Sequence, residues 1–316
     1  MIPTETLEIA KTVSHFGSFT TAAKHLGKAP SAISYTIRKL EEKLNVSLFI
    51  RDSKHVVLTP AGKHFIKESE KLLNNLEQLE NSTRQIASGW EDRLYITLDN
   101  IVNQGRVYDL IKDLQHTHPK TELVIGSEVY NGSWDALYHG RCQIVIGAPV
   151  IIPTMVKNDD RFTWRSMGPI SWDFTVSPDH PLAKETSPLS LETVSHYRSV
   201  CIKDTSYIFN KGYNLLLDNQ KVLIVPSFRA AIECLLQGFG ATILPSHFVQ
   251  PYIQQGLLIK KEVPDLKSND ECLLAWNREN MGNSLKWILN WLGQQEWLNK
   301  IWLQHDPKKP VSYHVP

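Results

Sequence analysis

Residues 22–44, AAKHLGKAPSAISYTIRKLEEKL, carry two helical patterns that meet at a glycine-containing turn. Gly27 closes the first, since glycine takes the left-handed conformation at a helix end without steric penalty. Pro30 suits the first turn of the second, where its missing N–H has no intrahelical acceptor in any case. There Ile33, Ile37, Leu40 and Leu44 recur at helical spacing and form an inward stripe. That stripe leaves Ser31, Ser34, Tyr35 and Arg38 together on the opposite face, with Lys39 beside them. Upstream, Leu7, Ala10, Val13 and Phe16 mark an earlier helix that ends at Gly17, and Ser18 is a suitable N-cap for the pattern FTTAAKHLG. Three short helices with a glycine turn between the second and third fit a helix-turn-helix.

The exposed mixture on the third helix has two readings. One is an ordinary solvated face. The other is a surface that enters the major groove of DNA, where small residues allow close approach, hydroxyls reach base edges or phosphates, and Arg or Lys binds phosphate or guanine. Thr20 and Thr21 begin the second helix, where N-terminal amides can meet phosphate. The next stretch favours the second reading. Residues 46–62, VSLFIRDSKHVVLTPAG, read as two short strands around Leu48-Phe49-Ile50 and Val56-Val57-Leu58, joined by a polar tip from Asp52 to His55. A β-hairpin beside a helix-turn-helix is a wing, and it carries Arg51 and Lys54.

From about Pro60 to Ser88 the pattern becomes one long helix. Phe65, Ser69, Leu72, Leu76, Leu79, Thr83 and Ile86 step by four and three alternately, a heptad seam. So narrow a seam needs a partner helix, most simply the same helix of a second chain. The alternative is a helix lying on its own domain, but Lys71, Asn74, Asn75 and Glu77 leave little apolar face beyond the seam.

After Gly89 short apolar strands alternate with helices. The strands are 94–98, 122–127, 143–148, 173–177, 199–203, 221–226, 241–245 and 271–276, with a helix at 228–237 and one last amphipathic helix over about 284–303. This alternation predicts α/β structure with a largely parallel sheet, in two lobes. Ligands in such folds bind at the carboxyl ends of strands, often between lobes. The strand ends therefore name candidate contacts: Asp99, Asn100 and Ile101; Ser127, Glu128 and Tyr130; Ala148 with the adjacent Pro149; Ser171 and Trp172; Asp204, Thr205 and Ser206; Pro226 and Ser227. Carboxylate acceptors, amide and hydroxyl groups and a flat aromatic surface suit a neutral, planar, hydrogen-bond-rich heterocycle. A carboxylate effector would want Arg or Lys, and these strand ends are short of both. Asp99 and Asp204 can equally cap the helices that follow them, and Trp134, Trp172 and Trp276 can equally be core.

Composition excludes little. The formal net charge of +1 proposes no partner by itself. The four cysteines, Cys142, Cys201, Cys234 and Cys272, form no Cys-x-x-Cys pair and fit reduced structural thiols. Neither a signal sequence nor an apolar run near the roughly 18 residues of a spanning helix is visible, so a cytoplasmic location away from the membrane is expected. No cofactor or metal site is expected. No nucleophile elbow, phosphate loop or zinc-protease motif proposes an enzyme, although distant residues could still assemble a catalytic site on a two-lobed α/β fold.

The sequence GSFTTAAKHLGKAPSAISYTIRKLEEKLNVSLFIRDSKHVVLTPAG resembles the winged helix-turn-helix of LysR-type transcriptional regulators, and the likeness continues through nearly the whole chain. It implies a winged helix-turn-helix over 1–60 and a linker helix over 61–89. It further implies a two-lobed effector domain of the periplasmic-binding-protein kind over 90–316, with lobe I at about 90–165 and 270–303 and lobe II at about 166–269. By position, Thr20, Thr21, Ser31, Ser34, Tyr35 and Arg38 match the family's DNA-contact sites, with Arg51 and Lys54 on the wing. Many members carry Gln where Pro30 stands, so one common base contact is missing. The resemblance implies double-stranded promoter DNA and a small effector as partners, a homodimer through residues 65–86 with a homotetramer beyond it, and RNA polymerase as a further candidate. GWEDRLYITLDNIV, EVYNGSWDAL and MGPISWDFTVSPDHPLA are similar to a purine- and allantoin-related subgroup, which implies a purine or nucleoside effector, with another aromatic or a ureide metabolite as the alternative.

Overall fold

The computed structural model describes residues 2–51, 56–186, 188–210, 215–266, 269–279 and 281–304, and it divides into two compact units, Met1–Thr83 and Arg84–Pro316. The first unit holds α1 (Thr4–Phe16), α2 (Phe19–His25), α3 (Pro30–Leu44) and an antiparallel hairpin of β1 (Phe49–Arg51) and β2 (Val56–Leu58), with Phe49 opposite Leu58. Long helix α4 (Pro60–Ser88) begins here. Ala10, Val13, Ala22, Ala23, Ile33, Ile37 and Leu40 fill one core with Leu48, Phe49 and Ile66. The expected stripe of α3 is therefore the buried one, with Leu44 at its half-buried end. Gly17 and Gly27 take positive φ as their turns require, and Ser18 Oγ accepts from Thr21 N at 3.3 Å.

Two three-residue strands are too short to be stable alone. Glu41 on α3 holds β1 by accepting from Leu48 N (2.7 Å) and Phe49 N (3.0 Å), and Gly17 O accepts from Val56 N at 3.0 Å. The expected wing tip, including Lys54, lies outside the described residues, as does the side chain of Arg51. On α4 the seam divides. Ser69 is buried, and Phe65 packs on the core of its own unit. Leu72, Leu76 and Leu79 are exposed. The side chain of Ile86 lies outside the described residues.

The second unit opens with β3 (Arg93–Asp99), α5 (Val107–Thr117), β4 (Glu122–Glu128), α6 (Asn131–Tyr138), β5 (Ile144–Pro149) and α7 (Thr154–Lys157). The 15-residue β6 (Phe162–Val176) leads to α8 (Pro181–Lys184), α9 (Leu191–Ser195), β7 (Ser199–Ile202), β8 (Val222–Val225) and α10 (Phe228–Leu236). Then come β9 (Thr242–Pro245), α11 (Ser246–Gln254), β10 (Ile259–Lys261), β11 (Asn269–Asn277), α12 (Asn283–Leu292) and α13 (Gln295–Trp302).

The main sheet runs β10-β6-β11-β5-β3-β4, with β9 also on β6. β3 is parallel to β4 and β5, and β11 is antiparallel to β5 and to β6 from Phe162 to Ser171. From Trp172 on, β6 changes partners to β9 and β10. One strand thus runs through both lobes: the first on β4, β3, β5 and β11, the second on the end of β6 with β9, β10 and the parallel pair β7–β8.

Three expectations need correction. The sheet is mixed rather than largely parallel, because β6 and β11 both run against their neighbours. The strand read at 173–177 is the end of a strand that starts at Phe162, and Gly168-Pro169 at its middle disguises the continuity. The helix read over 284–303 is two helices, because Gly293 takes φ 69 between them. All four cysteines are unbridged, and burial pushes the Cys142 thiol up to about 12, a packing role rather than a nucleophilic one. Among the described residues no helix is long and apolar enough to cross a membrane.

Candidate DNA-binding face and effector site

On α3 the apolar stripe is consumed by the core, and the remaining face points outward. Ser31, Tyr35, Arg38 and Lys39 are exposed and Ser34 is half-buried. Arg38 and Lys39 flank the Tyr35 ring at 5.6 and 5.8 Å from its centroid, within cation–π range. Both also approach Glu42, Lys39 at 2.7 Å and Arg38 at 3.8 Å. The hydrogen bond from Lys39 holds the Glu42 carboxyl below its usual range. The N-cap of α3 is Ala29, which makes no side-chain cap, and Pro30 follows it. On α2 the hydroxyl-bearing Thr20 and Thr21 are exposed, but the Thr21 amide is already taken by Ser18. The face therefore combines hydroxyls, a tyrosine and two cations, as a groove-reading surface requires.

In the second unit the strand ends meet at a junction between the lobes. The first lobe brings Asp99 at the end of β3, and Glu128 and Tyr130 after β4. The second brings the loop after β7 and the start of α10. Asp99 is 2 % exposed and accepts from Ile101 N (3.0 Å) and Ser133 Oγ (2.6 Å). Burial dominates these bonds and pushes its carboxyl up to about 7. Gly147, at φ 100, leaves room for this turn: a Cβ there would stand 2.6 Å from Val102 and 3.1 Å from the Asp99 Cβ.

Several cross-lobe bonds close the junction. Asn100 Oδ1 accepts from Phe228 N at 3.3 Å, and His247 Nε2 lies 2.9 Å from Ile101 O. Thr205 Oγ1 accepts from Val129 N at 2.9 Å, and Asp204 Oδ2 accepts from Asn131 N at 3.3 Å. Asp135 on α6 accepts through Oδ2 from Tyr207 N (2.5 Å), Ile208 N (3.2 Å) and Ser206 Oγ (3.3 Å). Its other oxygen faces Arg141 at 3.7 Å and His139 at 3.5 Å. Gly132 makes this approach possible, since a Cβ there would stand 1.9 Å from Thr205 Oγ1. Glu128 is turned to Arg141, with which it forms an ion pair.

Tyr130 sits at the centre. Its backbone, φ 53 and ψ −123, is a conformation L side chains rarely adopt, at a cost of roughly 1–3 kcal/mol. Its ring meets Phe228 edge-on at 6.3 Å, and Phe228 meets Trp172 at 5.8 Å. Its hydroxyl is buried and finds no hydrogen-bond partner among the described residues. Burial, with Asp99 and Asp204 nearby, holds the phenol well above its usual range.

Of the residues read from strand ends, Asp99, Asn100, Ile101, Tyr130, Trp172, Asp204 and Thr205 come together here. Asp204, Thr205 and Ser206 spend polar atoms on joining the lobes. Ser127 is exposed and accepts from Gln104 at 2.9 Å; Ser171 and Pro226 are exposed; Ser227 caps α10 through Ala230 N at 3.1 Å. Ala148 is fully buried in the cluster that contains Trp134 and Val145, so it is a core residue. Trp134 is also core, its indole donating to Pro149 O at 3.0 Å. Phe228, His247, Ser133 and Asp135 were not anticipated. Only the strand-end candidate Ser227 pointed near one of them, Phe228.

A helix-turn-helix whose third helix keeps hydroxyls and cations off its own core is built as a DNA-reading module is, and the chain, like its relatives, is a DNA-binding transcriptional regulator rather than an enzyme. Its family is equally plain. Residues 4–63 match the bacterial regulatory helix-turn-helix protein, lysR family, and residues 87–297 match the LysR substrate binding domain. The chain belongs to the LysR family. It is 37% identical over 306 residues to the HTH-type transcriptional regulator PunR of Escherichia coli (strain K12), covering 97% of each chain. It is 31% identical over 283 residues, 90% of each chain, to the uncharacterized HTH-type transcriptional regulator YeeY of the same organism. Among solved structures, CbnR, a LysR family transcriptional regulator, aligns with a TM-score of 0.57 at 14% identity over 95% of this chain and 99% of that one. A full-length OxyR variant from Pseudomonas aeruginosa aligns at 0.51 and 15% identity over 98% and 99%. These structures speak for the fold.

Proposed function

We propose that this regulator controls purine or nucleoside transport or metabolism genes and that a purine base or nucleoside is its effector. The observation that carries the reading is the lobe junction. Buried Asp99 and Asp204 lie near Tyr130, whose ring packs edge-on against Phe228, and the nearby Arg141 is turned to Glu128 and Asp135. A neutral nitrogen heterocycle fits that chemistry, whereas a carboxylate would meet repulsion. Likeness to PunR supports the same assignment.

The division of labour we propose is a DNA module over 1–60, a linker helix over 61–89 and an effector domain over 90–316. Ser31, Ser34, Tyr35, Arg38 and Lys39 contact DNA, with Thr20, Thr21, Arg51 and Lys54 at its margins. Two chains pair through 65–86, so that two copies of α3 read half-sites of an imperfect palindrome, and two such dimers form a tetramer. The effector acts only through its different affinity for two arrangements of the assembly, and RNA polymerase is the natural downstream partner. The setting is the cytoplasm.

Fluorescence anisotropy with the upstream intergenic DNA, at several salt concentrations and with a panel of purine bases and nucleosides, tests this. Specific binding with a steep salt slope, altered by one purine, is the expected result. Specific binding indifferent to every purine would discard the effector while keeping the regulator.

A further inference from the structure

We infer that Tyr130 is the residue that reads the effector, and that its hydroxyl is held in reserve for a hydrogen bond to a neutral or protonated nitrogen heterocycle. The inference rests on the effector reading above and adds the residue and the ligand chemistry. A buried polar atom without a partner is rare in a folded protein, because leaving it unpaired forfeits its hydration for nothing. Here it is not an accident of a loose surface. Tyr130 is fixed by a strained backbone at the entry to α6, while Val129 and Asn131 on either side bond to Thr205 and Asp204 of the other lobe. The segment that joins the lobes therefore also carries the orphan hydroxyl.

The surroundings select the ligand. Asp99 and Asp204, both buried, bias the spot against anions and toward groups that donate hydrogen bonds. The Asp99 oxygens accept from Ile101 N and Ser133 Oγ, and each carboxylate oxygen has two lone pairs to offer. The phenol can donate to a ring nitrogen or accept from an amino group. Phe228 is buried in the core and holds the Tyr130 ring edge-on, and the half-buried Trp172 beside it is the apolar wall a ring can reach. An amino- or imino-bearing heterocycle satisfies all of these at once, and an aromatic carboxylate satisfies only the wall.

Tyr130→Phe removes the hydroxyl and keeps the ring on Phe228. Full-length wild type and Y130F are compared by thermal melting without ligand, then by calorimetric titration with adenine, hypoxanthine, guanine, their nucleosides and benzoate. The expected result is an unliganded Y130F that melts at or above wild type, since it loses an unpaired polar atom. At least one heterocycle should bind wild type, and bind Y130F at least tenfold more weakly, with no binding of benzoate by either. A clear loss of melting temperature in unliganded Y130F would mean the hydroxyl has a structural partner such as an ordered water, and would overturn the inference. Equal affinities of wild type and Y130F for a purine that alters DNA binding would overturn the role of Tyr130 and leave the purine reading standing. Binding of benzoate alone, or of no heterocycle, would overturn both.

Discussion

Asp99 shows how one residue can be both an evident candidate and a surprise. As the carboxylate that ends β3 it was visible in the sequence. That it would be wholly buried with its carboxyl raised to about 7 was not, because burial depends on Gly147, Ser133 and the opposite lobe. The gap between its ordinary value of 3.8 and about 7 corresponds to roughly 4 kcal/mol between its two protonation states. A raised carboxylate contributes its full stability below pH 4, where it is protonated in folded and unfolded chains alike, and loses it as pH rises through about 7. Asp99→Asn imitates the protonated form. Wild type should therefore lose stability relative to D99N between about pH 4 and pH 7 in urea titrations, and parallel curves would show that Asp99 is ionised without penalty. On the face of α3 proposed to contact DNA, Glu42 pairs with Lys39 and Arg38 and would compete with phosphate for both. Exposed pairs like these add little to stability. Glu42→Gln should leave the melting temperature unchanged and tighten DNA binding several-fold at low salt, an advantage that shrinks as salt screens it. Unchanged anisotropy curves would place Glu42 off the interface.

At the scale of elements, legibility followed local signals. The helices and hairpin of the first unit were readable because each carries its own stripe, cap or glycine: Ile33, Ile37 and Leu40, Ser18, Gly27. What failed were features defined by distant partners. The 15-residue β6 hides behind Gly168-Pro169, and nothing local says that it changes from β11 to β9 and β10 at Trp172. The candidate site was legible where strands end, through Asp99 and Tyr130, which the structure brings to the lobe junction. It was illegible where α6 and α10 supply Asp135 and Phe228, since both lie inside helical patterns that read as packing. Asp135 nevertheless joins α6 to the loop after β7 through three acceptor contacts. Asp135→Asn removes the charge and one acceptor oxygen. A charge-assisted hydrogen bond contributes about 1.5–3 kcal/mol, so amide exchange of Tyr207 and Ile208 should accelerate at least about tenfold, while exchange in β3 and β5 stays as in wild type. Equal exchange at Tyr207 in both proteins would mean the loop is held by something else.

At the scale of the whole molecule the open question is what covers α4. Its seam begins inside the DNA-binding unit, where Ser69 is buried, and then turns outward: Leu72, Leu76 and Leu79 are 54, 42 and 63 % exposed. A single exposed leucine needs no explanation. Three at spacings of four and three form a stripe, and a narrow stripe on a helix is what a second helix covers. A charge at its centre separates pairing from folding. Leu76→Asp lies on an exposed position, so each unit should stay folded and binding of the proposed purine effector should stay as in wild type. Its sedimentation coefficient at micromolar concentration should fall from that of the tetramer to that of the smaller species the second interface alone can hold, and its affinity for a full palindrome should drop more than tenfold. Its affinity for a single half-site should stay as in wild type, because only the gain from engaging two half-sites at once has been removed. If L76D sediments as wild type does, the leucines are not the pairing surface. If it sediments as the smaller species yet binds the full palindrome as tightly as before, pairing through α4 contributes nothing to operator recognition.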